Sequence, residues 1–144
     1  MHSAGEETYQ ETRQVEQGNF ATAGQISASF KNTLKKLGVA SPVIRRIAIA
    51  SYEAEINLAI HSCGGTMRLV IYPNRVRLLV DDVGPGIADI DLAMQEGYST
   101  ASEEVRMLGF GAGMGMPTMK RCADGFQIAS QVGKGTSICM EFNL

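Results

Sequence analysis

The sequence has few of the residues that build metal sites and disulfides. It contains two histidines, His2 and His61, and three cysteines, Cys63, Cys122 and Cys139, which are far apart and form no C-x-x-C pair. A histidine-rich metal site is therefore excluded, and neither a zinc site nor a disulfide framework is expected. The three cysteines are expected to be small buried thiols. A Ser/His/Asp set at a recognisable spacing is also missing, which argues against nucleophilic hydrolysis.

The sequence also lacks a strong excess of positive or negative charge, and it lacks a long apolar run. The 13 basic and 15 acidic residues leave a formal net charge of −2, so direct contact with nucleic acid is not expected. No apolar run reaches the roughly 18 residues of a membrane span, and the N-terminus has no apolar signal core. With 144 residues, 44% of them apolar, the chain is expected to be a cytoplasmic globular protein. A single domain over 19–144 would follow an N-terminal extension, 1–18, that forms at most an edge strand.

Apolar periodicity and turn residues predict the secondary structure. Helical spacing predicts one helix from Ala21 to Leu37, with Gly38 after its end, and a second from Ser41 as N-cap to about Ser62. Further helices are expected near 89–96 and over 115–123, and strands near 9–16 and over 67–72, 76–81, 125–130 and 136–142. These elements favour an α+β two-layer sandwich, with a mixed, mostly antiparallel sheet covered on one face by helices.

Glycine stands at every second position from Gly109 to Gly115, a pattern with no value for core packing. Such a run serves close backbone approach or unusual backbone angles. It leads into Met116-Pro117-Thr118, the expected first turn of a helix, whose N–H groups and positive dipole end suit an anion such as phosphate. The run is neither a G-x-x-x-x-G-K-[ST] P-loop nor a dinucleotide-binding G-x-G-x-x-G that follows a strand.

A polar stripe is predicted on the second helix. Glu53, Asn57 and His61 are four residues apart and share one face, whereas Glu55 lies about 200° around the helix from Glu53. The stripe is either an ordinary solvated face or part of a site. Asn57 favours the site, because asparagine is unfavourable in mid-helix unless it has a role.

A second polar feature follows the predicted strand 76–81. Asp82 opens the turn Asp82-Val83-Gly84-Pro85-Gly86-Ile87. An ionised aspartate only accepts hydrogen bonds, so an amino group such as the exocyclic amine of adenine is its natural partner. The same residues are also common in plain turns, and alone they do not decide between the two.

Four motifs, taken in order, resemble the GHKL ATPase domain found in gyrase and the histidine kinases. They are Glu-x-x-x-Asn on a helix, Asp-x-Gly-x-Gly-Ile, Gly-x-Gly-x-Gly-x-Gly before a helix, and Gly133-Lys134-Gly135-Thr136 before a strand. The resemblance covers roughly 20–143, and within the superfamily the chain looks most like the small serine kinases of bacterial partner switching. It implies the GHKL fold with a mobile ATP lid over about 88–110.

The resemblance implies ATP and Mg²⁺ as cofactors and a role for each matching residue. Asn57 would hold Mg²⁺, and Glu53 would be the catalytic base that aligns a serine hydroxyl or water against the γ-phosphate. Asp82 would bind the adenine amine, with Thr136 nearby. The other implied cofactor-binding residues lie in the turn, the lid and the glycine run: Gly84, Gly86, Ile87, Ser99, Thr100, Gly109, Gly111, Ala112, Gly113, Met114 and Gly115.

Two assignments inside this set stay open. Ser99 and Thr100, in a segment that resembles the "GYST" of stressosome-type kinases, either contact a phosphate or cap a helix that begins near Ala101. His61 either approaches the phosphates or is a structural histidine.

The main functional hypothesis is a serine protein kinase that phosphorylates a small STAS-type antagonist protein and so acts as an anti-sigma regulator. The first alternative is a non-catalytic module whose bound nucleotide gates its affinity for a sigma factor or an enzyme. The second is a free-standing slow ATPase, which would release phosphate with no other protein present. The anti-sigma kinases that the chain resembles are dimers, which suggests a homodimer here.

Overall fold

The structure is a computed structural model that describes residues 9–16, 18, 23–61, 64–84, 94 and 115–144. These residues form five strands and three helices: β1 (Tyr9–Val15), α1 (Gln25–Lys36), α2 (Ser41–His61), β2 (Gly65–Ile71), β3 (Arg75–Asp82), α3 (Gly115–Cys122), β4 (Gly125–Gln131) and β5 (Gly135–Asn143). The helix predicted near 89–96 and the lid predicted over about 88–110 fall outside the described residues, apart from Met94.

The five strands form one sheet in the order β1-β2-β3-β5-β4. All four of its pairings are antiparallel, where the sequence predicted a mixed, mostly antiparallel sheet. The strand expected near 9–16 is present as β1, at one edge. Strand β5 follows the other described elements in the chain but lies in the interior of the sheet, between β3 and β4.

The three helices and one face of the sheet enclose the core. Helix α2 is central and contacts both α1 and α3. Alternate residues of the strands point towards the helices, because successive side chains of a strand face opposite sides. The buried set includes Phe30, Leu34, Ile47, Leu58, Met67, Leu69, Val76, Leu78, Met119, Met140 and Phe142. This arrangement confirms the predicted α+β two-layer fold.

The starts of α1 and α2 differ slightly from the prediction. Helix α1 begins at Gln25 rather than Ala21, because Gly24 has a left-handed backbone conformation with φ 98° that a right-handed helix cannot include. Helix α2 already includes Ser41, which the sequence predicted as its N-cap. The N–H of Ile44 donates to the carbonyl of Ala40 over 3.1 Å, so the cap position is one residue earlier.

The end of α1 follows the prediction closely. Gly38, with φ 78°, occupies the position after the C-cap, Leu37. The N–H of Gly38 donates to the carbonyl of Lys35, and the N–H of Val39 donates to the carbonyl of Leu34, both over 3.1 Å. This pair of bonds is the Schellman motif, which satisfies the last carbonyl groups of a helix and favours glycine at the left-handed position.

The thiols that the structure describes are free and half-buried. Cys122 and Cys139 form no disulfide, and Cys63 lies outside the described residues. None of the helices in the described ranges is long and apolar enough to cross a membrane.

Candidate functional site

Four strands bring Gly65, Asp82, Thr136 and Ser130 into one row at the end of the sheet. Gly65 pairs with Asp82 across β2 and β3, and Ser130 pairs with Thr136 across β4 and β5. The register of β3 and β5, continued by one residue, places Asp82 opposite Thr136. The side chains of Asp82, Thr136 and Ser130 therefore share the face of the sheet that the helices cover.

One oxygen of the Asp82 carboxylate is held by the backbone of β5. The N–H of Thr136 donates to Oδ1 of Asp82 over 2.6 Å. Within the described ranges no partner is found for Oδ2, so this oxygen remains an acceptor for a ligand. Burial raises the pKa of Asp82, the hydrogen bond from Thr136 lowers it, and the charge of Asp81 raises it, with a raised pKa as the result.

Two glycines let the backbone approach Asp82 from both sides. A Cβ atom at Gly135, where φ is 143°, would collide with the backbone oxygen of Asp82. A Cβ atom at Gly65 would collide with the backbone oxygen of Asp81. Any larger residue at either position would push the strands apart, because real Cβ atoms do not approach so closely. The sequence analysis placed Gly135 in a motif but assigned no such role to either glycine.

Thr136 is itself held by Ser130, a residue that the sequence analysis did not single out. Thr136 is 6% exposed. Its Oγ1 lies 2.9 Å from Oγ of Ser130, and the same Ser130 hydroxyl donates to the carbonyl of Gly135 over 3.3 Å. Only the pairing of β4 with β5 reveals this contact, since the two residues are six positions apart across a turn.

The turn after Asp82 is tied to both neighbouring loops. The N–H of Val83 donates to the carbonyl of Gly64 over 3.0 Å, and the N–H of Gly84 lies 3.4 Å from the carbonyl of Lys134. The predicted site residue Gly84 is therefore next to the β4–β5 turn, which leads into Thr136. Gly86 and Ile87 lie outside the described residues.

Glu53 and Asn57 lie one helical turn apart on α2, and both are half-buried. Burial raises the pKa of Glu53, and no hydrogen bond or ion pair to its carboxylate is found in the part of the chain that the structure describes. Burial also raises the pKa of the Cys122 thiol, and the charge of Glu53 adds to that effect, which places Glu53 near α3. Helix α2 includes His61, but the placement of its side chain is outside the described part.

Glu53 also lines an open groove between α1 and α2. The groove has a volume of about 480 Å³, and its walls include Lys31 of α1 and Ile49 and Tyr52 of α2. Ile49 is 42% exposed and Tyr52 is 39% exposed, so apolar surface lies next to this carboxylate.

Glu55 has a structural role on the other side of α2. Its carboxylate accepts hydrogen bonds from the N–H groups of Ile26, over 3.4 Å, and Ser27, over 3.3 Å, in the first turn of α1. Gly24 offers no side chain to cap this helix end, so Glu55 replaces it. The spacing from Glu53 placed Glu55 on the buried side, where a charged residue needs a partner, and that signal could have revealed the contact.

Helix α3 is fixed at its C-terminal end by Arg46 of α2. The guanidinium donates to the carbonyl of Cys122 over 3.0 Å and to Oδ1 of Asp124 over 3.3 Å. Gly115, the last glycine of the run, is the first residue of α3. The other predicted residues of the lid and the run lie outside the described residues: Ser99, Thr100, Gly109, Gly111, Ala112, Gly113 and Met114.

Comparison with known proteins agrees with this geometry. The family model of the histidine kinase-, DNA gyrase B- and HSP90-like ATPases matches residues 26–144. The chain belongs to this family, as the four motifs predicted, and it is therefore an ATP-binding domain.

Two groups of relatives within this family are similar to the chain, a serine/threonine-protein kinase and anti-sigma F factors. The chain is 31% identical over 112 residues to the serine/threonine-protein kinase RsbT of Bacillus subtilis, a match that covers 75% of this chain and 78% of RsbT. It is 31% identical over 120 residues to an anti-sigma F factor of Caldanaerobacter subterraneus and 35% identical over 120 residues to one of Thermoanaerobacter sp.. Each of these two matches covers 83% of this chain and 76% of the relative.

Proposed function

We propose that this protein is an ATP- and Mg²⁺-dependent serine protein kinase that phosphorylates a small STAS-type antagonist protein and so regulates by exchange of protein partners. The observation that carries the proposal is the carboxylate of Glu53. It is half-buried, has a raised pKa and lies one helical turn before Asn57. The relatives named as a serine/threonine-protein kinase and as anti-sigma F factors support it.

Adenine recognition is assigned to the row at the end of the sheet. Asp82 has one oxygen engaged by Thr136, and its second oxygen can accept a hydrogen bond from the exocyclic amine. A Cβ atom at Gly135 would lie 2.8 Å from Oδ1 of Asp82, so glycine at this position leaves space for the carboxylate. The row therefore fits a purine that presents a donor at this position, as adenine does.

Phosphoryl transfer needs a base for the acceptor hydroxyl. Bound ATP supplies the γ-phosphoryl group and bound Mg²⁺ neutralises its charge. Glu53 takes the proton of the serine hydroxyl as the serine oxygen bonds to phosphorus and the bond to the leaving ADP breaks. A carboxylate whose pKa is raised by burial is a stronger base than an exposed one.

Asn57 is the proposed protein ligand of Mg²⁺. Its amide oxygen is a hard ligand of the kind Mg²⁺ prefers, and Mg²⁺ usually keeps several water and phosphate ligands. No group of three or more His, Cys, Asp or Glu side chains in the described ranges is arranged to hold a metal ion. Most ligands of the ion would therefore come from the triphosphate and water.

The variant Glu53→Gln tests the assignment. It keeps the shape of the side chain but cannot take a proton, so we expect ATP affinity within about threefold of the wild type and a loss of phosphotransfer of at least roughly 100-fold. ATP binding is measured by isothermal titration. Phosphotransfer is measured from γ-labelled ATP to purified STAS-domain proteins of the source organism.

Glu55→Gln is the matched control, since it changes the neighbouring acid on the other side of the same helix. It should lower stability but keep phosphotransfer once the protein is folded. Unchanged phosphotransfer in Glu53→Gln would rule out Glu53 as the base. Partner binding that depends on nucleotide, with no phosphotransfer in the wild type, would favour the gated module instead, and steady phosphate release without any partner would favour a slow ATPase.

A further inference from the structure

An exposed apolar residue, the proposed base and the proposed metal ligand follow one another on one face of α2. Ile49, Glu53 and Asn57 are four residues apart, so each lies one turn, about 6 Å, beyond the one before. Ile49 is 42% exposed, whereas Glu53 and Asn57 are half-buried. The apolar end of this row precedes the carboxylate, and the end assigned to Mg²⁺ and the triphosphate follows it.

This order along α2 fits the two sides of a phosphoryl transfer. The attacking oxygen and the leaving oxygen lie roughly in line, on opposite sides of phosphorus. The proposed role of Asn57 assigns the part of α2 after Glu53 to the triphosphate. The acceptor hydroxyl then approaches from the part before Glu53, where Ile49 lies.

The surface around Ile49 is the open groove between α1 and α2 described above. Its α2 wall consists of Ala48, Ile49 and Tyr52, and Glu53 lines it too. Tyr52 closes one end, since a Cβ atom at Gly24 would lie 3.5 Å from Cε1 of its ring, next to the start of α1. The volume of about 480 Å³ is within the range of ligand-binding clefts.

The charges of the groove restrict what can occupy it. Lys31 gives the α1 wall a positive charge, so a basic side chain in the groove would meet a like charge. The carboxylate of Glu53 has no ion pair in the described residues, and it can accept a hydrogen bond from a serine hydroxyl. The groove therefore complements a chain that offers a hydroxyl to Glu53, an apolar side chain to Ile49 and no positive charge to Lys31.

We infer that this groove binds the segment of the protein substrate that carries the acceptor serine, and that it selects an apolar side chain two residues from that serine. Residues i and i+2 of an extended chain point to the same side and are about 6.6 Å apart. This spacing matches the helical turn of about 6 Å between Glu53 and Ile49. The inference rests on the proposed function, in which Glu53 is the base.

Ile49→Ser tests the contact from the side of the kinase. The substrate is a STAS-domain protein of the source organism that the wild type phosphorylates, and steady-state rates are measured with γ-labelled ATP. We expect KM for this protein to rise roughly 5- to 20-fold and kcat to stay within about twofold, because a contact away from the reacting atoms contributes to binding alone. Ile49→Leu keeps an apolar side chain and should retain a KM near the wild-type value.

A change in the substrate tests the same contact from the other side. Mass spectrometry locates the phosphorylated serine, and the apolar residue two positions from it is replaced by serine. This replacement should raise KM by a similar factor. Combined with Ile49→Ser it should add little more, because both changes remove one contact, whereas fully additive effects would show that the two side chains do not touch.

Leu144→Ser is the matched control for the loss of an exposed apolar side chain. Leu144 is 50% exposed, and its N–H donates to the carbonyl of Asn74, at the end of the sheet opposite to Asp82. The control should leave KM and kcat at the wild-type values. Thermal unfolding monitored by circular dichroism verifies that each variant is folded, and titration with ATP verifies that nucleotide affinity is kept.

The outcomes separate the inference from the proposed function. An unchanged KM in Ile49→Ser would overturn the inference alone, and so would a phosphorylated serine with no apolar residue two positions away. A loss of kcat at unchanged KM would make Ile49 a support for Glu53 rather than a substrate contact. A wild type that phosphorylates no STAS-domain protein would overturn the proposed function, and the inference with it.

Discussion

At the scale of single residues, the candidate site depends on which atoms of one carboxylate are already engaged. Asp82 has Oδ1 committed to the N–H of Thr136, and the exposed neighbour Asp81 faces the other side of the sheet, where it accepts from Ser137. The two adjacent aspartates thus have different hydrogen-bond partners on opposite faces of the sheet. The alternation of side chains along β3 is what separates them.

Replacing Asp82 tests its proposed role, which is to accept a hydrogen bond from the amine of adenine. Asp82→Asn keeps an oxygen for the N–H of Thr136 but turns the second position into a donor, which repels the amine of adenine. We expect ATP affinity to fall by roughly 10- to 100-fold, as for a site left with unmatched polar groups. Titration with ATP and Mg²⁺ gives the dissociation constants.

The control for this experiment is Asp81→Asn. It makes the same chemical change one residue away, on the face of the sheet that lies away from the helices, and should leave ATP affinity within about threefold of the wild type. If both variants bind ATP as the wild type does, Asp82 does not recognise the base.

At the scale of elements, the β4–β5 turn decides how closely β5 approaches the end of β3. Gly133 and Gly135 flank Lys134 in this turn, and both have positive φ, 83° and 143°. Their surroundings differ. A Cβ atom at Gly133 would meet nothing within 4 Å, whereas one at Gly135 would collide with the backbone of Asp82.

The two glycines give a matched pair of variants. Gly133→Ala should cost about 1 kcal/mol of unfolding free energy, since only backbone strain is added. Gly135→Ala adds a collision to the strain and should cost on the order of 3 kcal/mol, together with a loss of ATP binding in the folded protein. Urea unfolding measures both, and equal losses would contradict the close approach at Gly135.

The elements themselves could largely be predicted from the sequence, because their signals are local. The N–H groups of Gly38 and Val39 end α1 through bonds to residues three and five positions earlier, respectively, and Pro73-Asn74 lies between two alternating runs. The contacts of Glu55 with α1 span 28 and 29 residues and depend on how two helices pack. Such contacts leave no pattern in the sequence beyond a charged residue on an apolar face.

The residues of the candidate site could also be predicted only in part from the sequence. The motifs named Asp82 and Thr136 and placed them near a common ligand, but spacing along the chain does not contain the register of β4, β5 and β3. Ser130 and Gly65 enter the row only through that register. Ser130 is an ordinary polar residue in a strand, and Gly65 follows Gly64 in what reads as the turn after α2, so nothing in the sequence marks either as a site residue.

At the scale of the whole molecule, two carboxylates, the buried Glu55 and the half-buried Glu11, hold α1 in place and respond to pH in opposite directions. Burial raises the pKa of Glu55 above its usual 4.5, and its backbone hydrogen bonds only partly offset this. Burial also acts to raise the pKa of Glu11, but hydrogen bonds from Ser29, Thr33 and Arg13 and the charge of Arg13 outweigh it. The pKa of Glu11 is therefore lowered.

The signs of these shifts define a pH experiment. A raised pKa means that the folded state binds a proton more tightly, so the contribution of Glu55 to stability decreases as pH rises from 4.5 through its folded pKa. Glu11 contributes stability above pH 4.5 that is lost as pH falls through its lowered pKa. Urea unfolding of Glu55→Gln and Glu11→Gln between about pH 3 and 8 should therefore give differences from the wild type that change in opposite senses. Parallel curves for the two variants would contradict these assignments.

The position of β5 has a consequence for the protein during its synthesis. The ribosome releases β1 to β4 before β5, although β5 lies between β3 and β4 in the finished sheet. Until residues 135–143 emerge, Asp82 lacks the N–H of Thr136, and Ser130 lacks its contacts with Gly135 and Thr136. A nascent chain that stops before β5 therefore lacks the proposed adenine site. Nucleotide bound at the proposed site would stabilise only a chain translated past this point.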